Sequence, residues 1–406
     1  MSRSVARVGV VALAVTLAAP PTPVAAGPAT GRAAPACASP LAPARPVAEA
    51  PWPQQRYAHD RLSALATGVG VTVAVVDSGV DRRHPQLAGQ VLDGSDFLDP
   101  GGDGTHDCAG HGTAVASIIA AAPHPDVAFR GLAPDARILP VRVSEQQVID
   151  GRETGRTVSA TDFAQAIRWA VDRGAEVLNL SVVLYADEPA VRSAVAHAVD
   201  RDVVVVAAAG NLHDSGDPLP YPAAYDGVLG VGAIGATGRR ADFSQTGPYV
   251  DLVAPGGDVL LAAPVRGHHR AEGTSYATPF VAATAALVRQ YRPRLTAAEV
   301  RQRIVATADP APGGDPDGGY GAGVLNPYRA VADTGGVPVG QPAPVPALAD
   351  ARPEPAQLAQ RARRAQARER AVLVAAATTG VVLVVVLVVL VLPRGRRRRW
   401  RPADPT

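Results

Sequence analysis

Between residues 71 and 235 the chain carries four nearly unbroken apolar runs, VTVAVVD (71–77), EVLNLSVVL (176–184), VVVVAAAG (203–210) and VLGVGAIG (228–235). A strand with one wet face alternates polar and apolar side chains. Runs without that alternation fit strands covered on both faces of a parallel sheet. Between them the spacing turns helical. In TDFAQAIRWAVDRG, Thr161 is placed to cap a helix start and Gly174 to end it. In TAAEVRQRIVATA, Thr296 and Glu299 have capping-box spacing. Alternating strand and helix patterns predict an α/β domain with a mostly parallel central sheet. Ligands of such sheets bind beyond the carboxyl ends of the strands, so polar residues that close apolar runs are the first places to look for chemistry.

The apolar pattern changes character at both ends. MSRSVARVGVVALAVTLAAPPTPVAAGP has a basic start, a short apolar run and small residues at 24–26, the layout of a secretory signal peptide cleaved after Ala26. AVLVAAATTGVVLVVVLVVLVL (371–392) is free of charge and long enough to cross a bilayer as a helix, and RGRRRRW follows it. Arg clusters stay on the cytoplasmic side, so the body is expected outside the plasma membrane and a short tail inside. The expected organisation is a signal (1–26), an extended Pro/Ala-rich arm (27–60), one α/β domain (61–332), a Pro-rich linker with a juxtamembrane segment (333–370), a transmembrane helix (371–392) and an Arg-rich cytoplasmic tail (393–406).

Composition adds limits. Of 406 residues, 47% are hydrophobic, enough for a substantial core, and the formal charge of +2 gives no footprint for nucleic acid. The two cysteines, Cys37 and Cys108, suggest one disulfide in an exported protein, two free thiols being the alternative. The loop FLDPGGDGTHD (97–107) is rich in Asp and Gly but lacks the ligand periodicity of a calcium-binding EF-hand. No metal and no cofactor is expected.

Three stretches carry candidate chemistry. VTVAVVDSGVD closes a buried-type strand on Asp77, DCAGHGTAVASIIAAA opens an apolar helix at His111, and AEGTSYATPFVAATAALV opens another at Ser275. Glycines beside such residues let backbone approach a substrate, and a helix start offers free N–H groups to a developing oxyanion. Taken singly, Asp77 reads as a turn residue, His111 as a helix-start histidine and Ser275 as a cap. His268-His269 and His213-Asp214 read as solvated loop and turn positions. Together, in the order Asp, His, Ser and with AAAGN (207–211) between the last two, they form a pattern.

VAVVDSGVD, GHGTAVA and GTSYATPFVAA resemble the three signature blocks of the subtilisin-like serine proteases, the subtilases, over roughly 61–332. The resemblance implies a subtilisin-like three-layer fold and an Asp77–His111–Ser275 triad. It implies Asn211 as the oxyanion-hole side chain. It also implies a specificity pocket lined by Ser181, Val182, Ala208, Ala209 and Gly210. Where subtilases commonly have Ser-Leu-Gly, this chain has Ser181-Val182-Val183. PWPQQR ahead of the first block, Cys108 before GHGT, the Pro-rich spacer and the single span further resemble the mycosins, membrane-anchored subtilases associated with type VII secretion. That resemblance implies a Cys37–Cys108 disulfide and an arm that wraps the body instead of inhibiting it. A second disulfide, common in that group, has no cysteines here. The implied partners are exported protein or peptide substrates and type VII membrane components. The alternative role is structural, within the secretion complex.

Overall fold

A computed structural model describes residues 41–149, 152–315 and 318–334. The chain divides into two units, Met1–Val337 and Pro338–Thr406, and every described residue lies in the first. The signal segment, Cys37, the linker beyond residue 334, the span at 371–392 and the tail lie outside the described residues. Among the described residues no helix is long and apolar enough to cross a membrane.

The strands are β1 (Thr72–Asp77), β2 (Ser95–Asp96), β3 (Arg137–Arg142), β4 (Gln147–Ile149), β5 (Arg152–Thr154), β6 (Val177–Leu180), β7 (Val204–Ala208), β8 (Val228–Ile234), β9 (Leu252–Pro255), β10 (Val259–Ala262) and β11 (His268–Ala271). Seven of them form one sheet in the order β2-β3-β1-β6-β7-β8-β9, with every adjacent pair parallel. The four apolar runs are β1, β6, β7 and β8. Each contains a shorter strand than its run. The 176–184 run leaves the sheet at Ser181, whose side chain bonds to another element.

The helices are α1 (Trp52–Tyr57), α2 (His59–Ser63), α3 (His111–Ala120), α4 (Ala160–Asp172), α5 (Pro189–Asp200), α6 (Thr274–Tyr291), α7 (Ala297–Ala306) and α8 (Pro327–Ala332). Alternation within one strand shows why the apolar runs are unbroken. Val73 and Val75 pack with α3 and α6, whereas Ala74 and Val76 pack with α4 and α5. Both faces of the sheet are therefore covered, as the absence of period-two patterning requires.

Local details refine the expectations. The cap of α4 is Ser159, whose side chain accepts from the Asp162 N–H at 3.1 Å, and Thr161 sits two residues further on, within the first turn. Gly174, at φ +82°, follows the last turn as expected. Thr296 and Glu299 form the capping box of α7. The segment before residue 61 is not uniformly extended. Pro at the first turn starts α1, and Tyr57 already packs in the main core. The preceding residues 41–48 run as a strap, tied by Leu41 N–H to Cys108 O, Ala44 N–H to Arg266 O, His268 N–H to Arg45 O and Ala128 N–H to Ala48 O.

From β1 the chain crosses to β3 on one side, while β6, β7, β8 and β9 build outward on the other. The reversal of direction lies between β1 and β6. A crevice beyond the carboxyl ends of the strands is expected there, and Asp77, Ser181 and Asn211 all lie at or just past those ends.

Candidate active site

Asp77 ends β1 and is almost fully buried. Its Oδ1 accepts two hydrogen bonds, from the Ser78 N–H at 2.7 Å and from His111 Nδ1 at 2.7 Å. Its Oδ2 is buried and takes no hydrogen bond among the described residues. The pair forms because α3 comes very near the loop after β1. A Cβ on Gly112 would lie 2.1 Å from Gly79 O and 3.1 Å from Asp77 Cβ, so only glycine permits this approach. His111 occupies the first position of α3, after Gly110 at φ +78°, and its side chain keeps 28% of its exposure. Burial by itself would lower the imidazole pKa. The Asp77 carboxylate, with a smaller contribution from Asp107, outweighs burial and holds it above the usual histidine value. With Nδ1–H given to Asp77, Nε2 carries the lone pair.

Ser275 is the second residue of α6, whose N-cap is Gly273. It is therefore not the cap of that helix. Pro279 sits four residues further on and has no N–H, so the Ser275 carbonyl loses its ordinary helical partner. Ser181 Oγ donates to that carbonyl at 2.9 Å, and Asn179 Nδ2 donates to Ser181 Oγ at 2.9 Å. In return Ser275 Oγ donates to Ser181 O at 3.2 Å. The start of α6 is thus latched to the end of β6. In this resting arrangement the Ser275 hydroxyl points its proton at a carbonyl. Catalytic hydrogen bonds commonly tighten only with substrate. The adjoining Tyr276 ring lies 5.1 Å from the His111 ring, which brings the starts of α3 and α6 together.

Asn211 follows β7 and is exposed. Its Oδ1 accepts from the Thr274 N–H at 2.9 Å and from Thr274 Oγ1 at 2.9 Å. Fixing the oxygen fixes the rotamer, and the amide Nδ2 then faces the Gly273–Ser275 segment, 3.5 Å from where a Gly273 Cβ would stand. A donor with a tethered acceptor half suits an oxyanion. Gly210 just before it has φ +92°, and a Cβ there would strike Gln245 Oε1 at 2.2 Å. That glutamine accepts from Tyr185 OH and the Leu212 N–H, and donates to Pro218 O and Tyr249 OH. It ties together the segments that flank Asn211.

The structure brings Asp77 and His111 into direct contact and sets Ser275 and Asn211 on either side of Thr274. Ser181 is joined to Ser275. Gly210 is buried beside Asn211, Val182 is half-buried against the α4/α5 core, and Ala208 and Ala209 are fully buried, leaving only their backbone for recognition. His268 is not solvated, contrary to the loop reading. It opens β11, is 6% exposed, and burial pushes its pKa down to about 4. His213 lies in a 3-10 turn and bonds Asp217 at 3.0 Å. Cys108 is not a free thiol, and Cys37 lies outside the described residues. Among the described residues no His, Cys, Asp and Glu cluster is arranged for a metal.

Sequence reasoning missed Thr274, Gln245, Ser78 and Asp107. Thr274 and Ser78 were in view, each next to a residue singled out. Gln245 gave no signal, since its partners come from four separate segments.

The chain matches the family model of the subtilase family over residues 68–323. It is 35% identical over 343 residues to Mycosin-1 of Mycolicibacterium smegmatis, covering 73% of this chain and 76% of that protein. It is 38% identical over 346 residues to Mycosin-4 of Mycobacterium tuberculosis, covering 75% and 74%. A solved structure of the serine protease MycP1, described as an essential component of the type VII (ESX-1) secretion system, superposes with a TM-score of 0.62 at 34% identity, covering 72% of this chain and 91% of that one. The chain belongs to the subtilase family and is a serine endopeptidase of the mycosin type.

Proposed function

We propose that this subtilase is a membrane-anchored endopeptidase of a type VII secretion system that cleaves exported proteins at the outer face of the plasma membrane. The observation that carries the chemistry is the 2.7 Å contact between His111 Nδ1 and a buried Asp77 carboxylate. Ser275 Oγ attacks the scissile carbonyl while His111 Nε2 takes its proton. Asp77 keeps the imidazole in the Nδ1–H tautomer and stabilises its charged form. Asn211 Nδ2 and the Ser275 N–H receive the oxyanion. His111 protonates the leaving amine, and water repeats the cycle to free the acyl group. Ser181, Val182 and Gly210, with the backbone of the buried Ala208 and Ala209, line the segment along which the substrate chain lies, and the absence of charge there favours a neutral side chain in the pocket. A fluorophosphonate probe tests the assignment. It is expected to label the full chain and not the folded Ser275→Ala variant, and equal labelling of both would overturn the triad.

The signal at 1–26, the span at 371–392 and the tail at 393–406 complete the anchoring. Cys37 and Cys108 form the disulfide that fastens the arm, closing a loop of about seventy residues, for which the chain-entropy model gives several kcal/mol. Reductant is expected to lower the melting temperature without raising activity. A rise in activity would mark the arm as an inhibitor.

A second reading has a specific basis, the description of MycP1 as an essential component of a secretion system. In that reading the protein chiefly stabilises the membrane complex and proteolysis is secondary. A strain carrying Ser275→Ala, compared with a deletion strain, separates them. Normal secretion in the former and failure in the latter would assign the assembly role. Equal failure at equal protein levels would assign proteolysis.

A further inference from the structure

The turn ahead of α3 holds a carboxylate that the proposed chemistry leaves unused. Asp107 is 5% exposed. Its Oδ1 accepts from Ser78 Oγ at 2.8 Å and from the Gly110 N–H at 2.8 Å. Its Oδ2 accepts from the Thr113 N–H at 2.8 Å and from Thr113 Oγ1. All four partners are neutral donors.

Two of those partners pass the connection on. Ser78 Oγ accepts from the Gly112 N–H at 2.9 Å, and Thr113 Oγ1 accepts from the Asp81 N–H at 2.9 Å. The Ser78 N–H, in turn, meets the same Asp77 oxygen that His111 uses. One carboxylate therefore buckles the loop after β1 to the first turn of α3, the two segments that carry Asp77 and His111.

Helix capping alone does not account for a charge at this place. A side-chain amide or hydroxyl also caps a helix start and escapes the cost of burying an ion. The property that a carboxylate adds is a negative charge, and that charge acts on the imidazole from a second direction.

We propose that Asp107 is a positioning residue of the catalytic site: it holds the Asp77 loop in register with α3, and its charge favours the imidazolium that His111 becomes as Ser275 attacks. The proposal rests on the triad reading above. A group serving this purpose must be ionised to act. Burial pushes the Asp107 carboxyl up to about 6, against its four donors. The other ionisable groups around it are Asp77 at the end of β1, Asp81 in the following loop, His106 in its own turn, His111 on α3 and Tyr276 on α6. Asp81 is held ionised by Arg83, whose guanidinium outweighs its burial. Asp77 and Asp107 both act on His111 and on Tyr276.

The test follows phosphonylation of Ser275 by a fluorophosphonate across pH 5–9, in the full chain. In the wild type the logarithm of the rate is expected to fall with slope one as His111 is protonated. In Asp107→Asn the midpoint moves down by about one pH unit and the plateau rate drops about tenfold, so the two profiles merge at low pH, where Asp107 is itself protonated. A purely structural role would lower the plateau and the melting temperature without moving the midpoint. Should Asp107→Asn not fold, Thr113→Val decides. It removes one donor from the ionised form, so less of the charge faces His111 and its midpoint also moves down. An unmoved midpoint in Asp107→Asn, or in Thr113→Val where the former does not fold, would overturn the proposal. Failure of the triad itself shows separately, as labelling that survives Ser275→Ala.

Discussion

His111 and His268 are both poorly exposed imidazoles on the same domain, yet they are held in opposite states. His268 accepts a hydrogen bond at Nδ1 from the Val47 N–H at 3.2 Å, and its Nε2 lies 2.8 Å from Gln86 Oε1. Its ring packs on Phe129 at 5.2 Å and on His84 at 5.9 Å. No carboxylate bonds to it, so burial leaves it neutral with the proton on Nε2. His111 has the other tautomer, with Nδ1–H given to Asp77 and Nε2 open. Burial disfavours the charged form at both sites. The difference is the carboxylates beside His111, Asp77 bonded to it and Asp107 behind, and it separates a scaffold histidine that pins the N-terminal strap from the imidazole proposed as the base.

Removing that difference should have the largest effect. Asp77→Asn keeps the shape but lets the imidazole adopt the wrong tautomer. A loss of about ten-thousandfold in turnover is expected, as in other serine proteases with this change. Peptide hydrolysis by the purified variant checks it, and turnover near wild type would remove Asp77 from the mechanism. Asn211→Ala leaves the histidine contrast intact and removes a donor to the oxyanion. The expected loss is about a hundred- to a thousandfold in kcat, a range that itself derives from a subtilisin.

The scaffold side of the comparison is read through stability. His59 and His268 are both depressed to about 4 by burial. A histidine that titrates at about 6.5 when unfolded and about 4 when folded leaves the unfolded chain holding more protons between those values. Stability is therefore full above about pH 6.5 and falls as the pH drops toward 4. Thermal melts across that range should show the loss, and His268→Gln should flatten part of it. A melting temperature independent of pH would contradict the neutral assignment. The smallest effect is on rate. At pH 8, where His268 is neutral anyway, His268→Gln should leave turnover within about twofold, because the ring touches the strap and not the reacting groups.

The contrast was only half legible in the chain. Asp77, His111 and Ser275 stood out because each closes or opens an apolar run beside glycines, and the order of the three is informative. His268 looked like a loop residue because HHRAEG has no apolar run around it. Its burial is supplied by Val47, Gln86 and Phe129, from three other segments. The same applies to Gln245, whose hydrogen-bond partners are scattered along the chain from 185 to 249, and to Asp107, whose link to Ser78 joins positions 29 residues apart. The cap lies at Ser159, two residues before Thr161, a difference that periodicity does not resolve.

What the sequence determined by itself is what depends on neighbours along the chain: unbroken apolar runs that demand cover on both faces, glycines beside the reactive residues, a proline that frees the Ser275 carbonyl, and a capping box at Thr296. What only the tertiary structure decided is the ionisation and aim of those side chains. An imidazole is neutral or charged according to which groups lie within a few ångströms of it, and those groups arrive from distant segments only when the sheet closes.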